Sequence, residues 1–175
     1  MGHCPTRSRA RGFTLLELVV VTSTVALLSG VLLDRVQFYQ EMAERAAMQQ
    51  TAGAIRTSLY LQALNLIAKG RHNEIDELAK RNPMEALAEK PANYGGEIIS
   101  VRQNNVVSGH WYFNSDDKTL IYLVHNGKHF RAEHDPKQVV YRVRILRGER
   151  AENGSEKPVE GVILEQVNSF SWFKQ

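Results

Sequence analysis

Glu17 is the single charged residue in a run that is otherwise without charge over residues 13–33. A carboxylate in hydrocarbon costs roughly 2.5–3.5 kcal/mol on insertion scales. Glu17 therefore needs a partner, and what supplies it is the functional question this sequence poses. Other residues able to do chemistry are few. His125, His129, Glu133 and His134 in HNGKHFRAEH are zinc-ligand types. Asn126-Gly127, however, predicts a two-residue hairpin turn that pairs His125 with Lys128. That register sets Leu123 opposite Phe130 and Ile121 opposite Ala132, and sends His129 to the face opposite His125, splitting the donors. Asp116 and Asp117 offer carboxylates for calcium, which takes many oxygen ligands; the pair reads as a polar turn. Asn153-Gly154-Ser155 matches a glycosylation acceptor but also reads as a turn. Cys4 is the lone cysteine, so no disulfide within the chain is possible. With no Gly-x-Ser-x-Gly elbow, phosphate loop or His-Glu-x-x-His, no catalytic residue, metal or cofactor is expected.

The element that must position Glu17 is a helix. Residues 13–33 span about 31 Å at 1.5 Å per residue, the thickness of a bilayer core. A cleaved secretory signal would have a shorter apolar run and end in small-x-small; here Leu27-Leu28-Ser29 puts a leucine where a small residue is needed. An uncleaved signal anchor is the other reading. Arg7, Arg9 and Arg11 precede the run, so either way the amino terminus is expected in the cytoplasm and the remainder outside.

A short basic leader, then Gly12-Phe13-Thr14-Leu15-Leu16-Glu17, then about 20 apolar residues, closely resembles the type IV prepilin and pseudopilin signature. The resemblance covers about a sixth of the chain. It implies that a prepilin peptidase cuts between Gly12 and Phe13 and that the new Phe13 amine is N-methylated. It also implies that the chain assembles through its amino-terminal helix. The physics then gives Glu17 its partner. A neighbouring subunit can bring its Phe13 amine against Glu17, so that both charges are neutralised in a dry environment. Displaced head-to-tail docking of this kind does not close, and so builds filaments. Ala26 and Gly30 add a small-xxx-small face for close helix approach. The implied partners are the prepilin peptidase, other pilin or pseudopilin subunits and the inner-membrane assembly platform. Asp34 stands where major pilins often carry a proline, and the carboxyl-terminal disulfide many of them have is impossible here. Both departures favour a minor pilin or secretion-type pseudopilin.

Beyond Leu33 the pattern remains helical. Val36, Tyr39, Met42, Ala46, Ala47, Ile55, Leu59, Ala63, Leu66 and Ile67 recur at three- and four-residue steps. Glu41, Glu44, Arg45, Gln49, Gln50 and Arg56 fill the face between them. Gly70 is a stop signal, so residues 13–69 form one helix of about 85 Å, with Gly53 a place for a bend. Short helices are expected over 73–79 and 83–89, the second opened by Asn82-Pro83. Residues 91–97, PANYGGE, read as a turn-rich boundary. The period then becomes two, with strands expected over 97–102, 109–114, 119–125, 128–133, 138–146 and 161–173. Val139, Tyr141, Val143 and Ile145 share one face of a half-buried strand, with Arg142 and Arg144 on the other. Trp111 and Phe113 are expected in the core and Tyr112 on the opposite face.

The plan is thus α+β: a leader over 1–12, removed; a transmembrane and assembly helix over 13–33; an amphipathic continuation with short helices over 34–96; and an antiparallel sheet domain over 97–175. Such a helix followed by such a sheet is the pilin-like architecture. The chain carries 22 Lys and Arg against 19 Asp and Glu, and the three leader arginines account for the whole excess. No basic face for nucleic acid follows from that balance. The expectation is a non-enzymatic structural subunit of a type IV pilus or type II secretion-like filament, anchored once in a bacterial inner membrane with its sheet domain in the periplasm. A monomeric signal-anchored periplasmic enzyme or sensor is the competing reading.

Overall fold

The computed structural model describes residues 13–101, 105–132, 136–148 and 159–173. Helix α1, Leu15–Ala68, is followed by a 3₁₀ turn at His72–Glu74, helix α2 at Ile75–Leu78 and a second 3₁₀ turn at Pro83–Ala86. Seven strands come next: β1 Tyr94–Ile98, β2 Trp111–Asn114, β3 Thr119–Leu123, β4 Phe130–Ala132, β5 Gln138–Arg147, β6 Val159–Gln166 and β7 Phe170–Trp172. The chain separates into two compact units, Met1–Tyr39 and Gln40–Gln175.

The described part of the first unit is the opening half of α1, and none of its side chains is buried. It is long and apolar enough to cross a membrane by length and composition. Its few hydroxyls are satisfied inside the helix: Thr22 Oγ1 donates to the Leu18 carbonyl at 2.8 Å, Ser23 Oγ to Val19 at 2.7 Å and Thr24 Oγ1 to Val20 at 2.8 Å. This back-bonding gives the three hydroxyls acceptors within the helix, as a lipid environment favours.

In the second unit, the later half of α1 packs against the sheet. Met48, Ala52, Ile55, Leu59 and Ala63 form a stripe at helical spacing and join Trp111, Leu120, Tyr122, Val139, Tyr141, Val143 and Leu164 in one core. Burying each large aliphatic side chain contributes about 1.5–3 kcal/mol. The helix ends as expected: Gly70 takes φ +68°, its N–H reaches the Ile67 carbonyl at 3.0 Å, and Arg71 N–H reaches Leu66 at 2.9 Å. That pair of bonds closes the last turn as a Schellman motif. α1 runs uninterrupted through Gly53.

The apolar stripe departs from expectation nearer the apolar first half of the helix. Met42, Ala46 and Ala47 are exposed, as are Val36 and Tyr39, whereas Glu41 is 2% exposed. Four of the six polar residues placed on the face between the apolar positions bond to strands of the sheets or the segments beside them. Besides Glu41 and Glu44, Arg45 Nη1 donates to the Trp172 carbonyl at 3.0 Å, and Arg56 Nε to Leu164 at 3.2 Å. Periodicity counts apolar residues, so it misplaces a face whose burial depends on polar bonds.

The main sheet has the order β1-β2-β3-β5-β6, and β4 pairs with β7 in a separate two-stranded sheet. All neighbours are antiparallel except β1 and β2, which run parallel. The expected strand over 97–102 lies earlier, at Tyr94–Ile98, inside the stretch read as a boundary; Gly96, at φ +97°, sits where the β1–β2 register shifts. The expected strand over 161–173 is two strands, and they serve different sheets. Short helices fall at both predicted sites but are shorter, and Asn82 Oδ1 caps the second by accepting Met84 N–H at 3.0 Å. β5 alternates as expected, with Val139, Tyr141 and Val143 inward and Arg142 and Arg144 outward. Trp111 lies in the helix-facing core and Tyr112 on the other face, where it is also buried, against Ile98, Ile121 and Leu123.

Candidate functional site

The amino-terminal site is built on the first turn of α1. Thr14 precedes the helix, its carbonyl accepts Leu18 N–H at 3.1 Å, and its Oγ1 accepts Glu17 N–H at 3.2 Å. Thr14-Leu15-Leu16-Glu17 is therefore a Ser/Thr-x-x-Glu cap, a pattern legible in the sequence and missed by reading Glu17 as a charge alone. A carboxylate there also meets the positive end of the helix dipole. Its side chain is exposed and makes no ion pair with any described residue. Phe13 is 70% exposed just before the helix. Gly12, the other residue of the expected cleavage site, lies outside the described residues, as do Arg7, Arg9 and Arg11. Gly30 presents open space.

A second cluster was not foreseen. Glu41 and Glu44 hold the segment after β3 by its backbone. Glu44 Oε1 accepts His125 N–H at 2.7 Å and the Tyr122 hydroxyl at 3.0 Å, while its Oε2 accepts Asn126 N–H at 2.6 Å. Glu41 accepts Lys128 N–H at 2.8 Å, His129 N–H at 3.2 Å and pairs with His129 Nδ1 at 3.1 Å. These bonds overturn the expected hairpin. Neither Asn126 nor Gly127 takes the positive φ of a two-residue hairpin turn, and β3 pairs with β2 and β5 while β4 goes to β7. Burial of Tyr122 and the neighbouring Glu44 charge both push its phenol well above the usual range.

The histidines have separate partners. His125 Nδ1 meets Ser108 Oγ at 2.8 Å, and His129 stacks on Phe173 at 5.6 Å between ring centroids. Glu133, His134 and the Asn153 acceptor lie outside the described residues. Among the described residues no three His, Cys, Asp or Glu side chains are grouped to hold a metal ion. Asn114 Oδ1 accepts the N–H groups of Asp116 at 2.9 Å and Asp117 at 3.2 Å, making the turn that the sequence suggests.

A groove of about 370 Å³ crosses the face of β3 and β5 that points away from α1. It contains Gln138, whose Oε1 is buried with no hydrogen-bond partner among the described residues.

No protein-family model matches the chain, nor does any curated protein or solved structure. The fold itself defines the class: an α+β protein in which a long amino-terminal helix, apolar in its first half, packs its second half on a mostly antiparallel sheet, matching the pilin-like architecture.

Proposed function

We propose that this chain is a structural subunit, of the minor pilin or pseudopilin kind, of a type IV pilus or type II secretion-like filament. It is made as an inner-membrane precursor, cut by a prepilin peptidase between Gly12 and Phe13, methylated at Phe13, and assembled on a membrane platform through α1. Its sheet unit stands in the periplasm, and its role is contact rather than catalysis, so it needs no cofactor. The observation that carries this reading is the uncovered first half of α1, whose apolar run over residues 13–33 holds one carboxylate, Glu17, in the opening turn beside Phe13. A bilayer covers such a surface before assembly, and neighbouring helices cover it afterwards. Once cleaved, the Phe13 amine of the next subunit supplies the charge that Glu17 lacks. Further along α1, Tyr60, Leu61 and Leu64 are exposed on the side turned from the sheet, a second apolar surface suited to packed helices.

The mass of the intact protein extracted from membranes tests the reading. A chain beginning at Phe13 and carrying one extra methyl group is expected. A chain retaining residues 1–12 would instead indicate a monomeric anchored enzyme or sensor.

A further inference from the structure

Between the end of α1 and the segment that follows it lies a cleft of about 220 Å³. Gln62, Asn65, Leu66 and Lys69 form one wall, at the three- and four-residue steps that share a helix face. The turn at Gly70 sends the chain back so that Glu74, Leu78 and Arg81 form the other. The charges around the cleft do not balance. Glu74 is held by Arg71, Asp76 by Arg147, and Glu77 by Lys80 at 2.9 Å; Arg81 adds only a lesser attraction to the exposed Glu77. Neither Lys69 nor Arg81 forms a salt bridge or a side-chain hydrogen bond among the described residues. The last carbonyls of α1 are taken as well, Asn65 by Lys69 N–H at 3.2 Å, Leu66 by Arg71 N–H at 2.9 Å and Ile67 by Gly70 N–H at 3.0 Å. Two unpartnered cations therefore border one cleft, and its only carboxylate is already neutralised.

We infer that this cleft binds a carboxylate carried on a short aliphatic stem. The Arg81 guanidinium is a planar fork that matches the two oxygens of a carboxylate, and Lys69 adds a point charge. Gln62 Nε2 is spent on the Ala86 carbonyl at 3.4 Å, so Asn65 is the amide left to donate. Leu66 and the buried Leu78 supply an apolar lining for the stem. A bare phosphate would satisfy the cations but leave those leucines uncovered, and a cationic ligand is repelled by both charged residues. Two sources share the required chemistry, a free dicarboxylate and a glutamate side chain of a partner protein, and the test separates them. The inference is independent of the filament reading, since it uses no residue of the apolar half of α1.

The test uses the full chain in detergent micelles with ¹³C-labelled Leu methyls. Four probes are titrated at fixed ionic strength: glutarate, acetyl-Ala-Glu-Ala-amide, the uncharged glutaramide and inorganic phosphate. At least one of the two carboxylates is expected to shift the Leu66 and Leu78 methyls saturably, and the other two probes to leave them unmoved. Tighter binding of glutarate assigns the site to a free dicarboxylate, and tighter binding of the peptide assigns it to a partner's side chain. Lys69→Gln and Arg81→Gln, both at exposed positions, should each weaken binding about three- to fivefold, the scale of an exposed ion pair. The double variant should show no saturable shift, while the Leu59 and Leu120 methyls of the core keep their positions. Absence of any shift with both carboxylates overturns the inference. So does binding that survives in the double variant, or binding of glutaramide or phosphate as tight as that of the carboxylates.

Discussion

Glu41 accepts the backbone N–H of Lys128 at 2.8 Å across 87 positions of sequence. With Glu44 it ties the segment between β3 and β4 to the helix through main-chain groups, which every residue but proline carries. The bond is therefore blind to the side chains of that segment, and its energetic weight falls on the two glutamates. Glu41→Ala leaves the Lys128 and His129 N–H groups without their acceptor, at roughly 1–3 kcal/mol for each donor left buried. We expect a loss of about 2–4 kcal/mol for Glu41→Ala, and less for the half-buried Glu44→Ala. Thermal unfolding of the full chain in micelles, followed by fluorescence of the buried Trp111 and Trp172, measures both. A Glu41→Ala protein as stable as wild type would mean that this segment is held by other contacts.

Alkaline pH should weaken the sheet unit through its tyrosines. Burial raises the Tyr122 phenol, helped by the Glu44 charge, and raises Tyr141 against the opposing influence of Arg56. An unfolded phenol ionises near pH 10. Above that pH the unfolded chain sheds protons that the folded chain keeps, so the stability is intact below about pH 10 and falls as pH rises further. Melting temperatures across about pH 8 to 11 should show that decline, and Tyr122→Phe should flatten it. A flat profile in the wild type would show that these phenols ionise without penalty.

Two glycines should answer to alanine with opposite signs. A Cβ at Gly95 would lie 2.2 Å from Tyr112 Cε1 and 2.5 Å from Cζ. The ring is buried, and its hydroxyl accepts Val107 N–H at 2.8 Å, so Gly95→Ala has to displace an anchored side chain. A cost of about 1–3 kcal/mol follows. Gly53 lies within α1 with nothing near its missing Cβ, and Ala there should stabilise the helix by about 0.5–1 kcal/mol. The same melting experiment checks both, and a stabilising Gly95→Ala would contradict the close approach of Tyr112.

What the sequence makes legible here is what depends on local pattern. The apolar span over 13–33, the Gly70 stop, the Asn82-Pro83 start and the alternation of β5 each follow from neighbouring residues alone, and each stands in the structure. The Asn126-Gly127 hairpin fails because a local turn preference worth little competes with five hydrogen bonds from Glu41 and Glu44 to backbone N–H groups and His129. Those glutamates were placed simply on the face between the apolar positions, since nothing in a single sequence announces a carboxylate that accepts distant amides. β1 was expected too late in the chain for a related reason. Gly95 and Gly96 signal a turn, but here one glycine makes room for Tyr112 and the other takes a positive φ. The residues proposed for processing and assembly belong to a different kind of legibility, a spaced motif rather than a pattern of burial.

Processing at the leader gives a direct test of that motif. Gly12→Val should block cleavage, because the peptidase must admit an unhindered backbone there, and the protein should remain a full-length membrane precursor. Trimming to Phe13 in Gly12→Val, read by intact mass, would show that processing does not depend on the glycine and would overturn the assignment to a prepilin-type cut.

The helix-capping position of Glu17 and the intersubunit charge proposed for it can be separated by one substitution. Its backbone N–H is bonded to Thr14 Oγ1 at 3.2 Å, and glutamine serves at the same capping position as well as glutamate. Glu17→Gln therefore keeps the helix start while removing the charge. Insertion should be unchanged or improved, since a costly carboxylate leaves the apolar run. Cleavage should persist, because the amine that Glu17 is proposed to neutralise exists only after the cut. Crosslinking between subunits through α1 should fall, because the incoming Phe13 amine then enters a dry interface unpaired. Thr14→Ala is the complementary change: it removes the cap, at about 0.5–2 kcal/mol of helix stability, and retains the charge, so crosslinking should survive. If Glu17→Gln crosslinks like wild type while Thr14→Ala does not, Glu17 is a capping residue and the intersubunit charge pair is absent. Loss in Glu17→Gln with retention in Thr14→Ala is the expected result, and no purely structural role of the first turn gives that pair of outcomes.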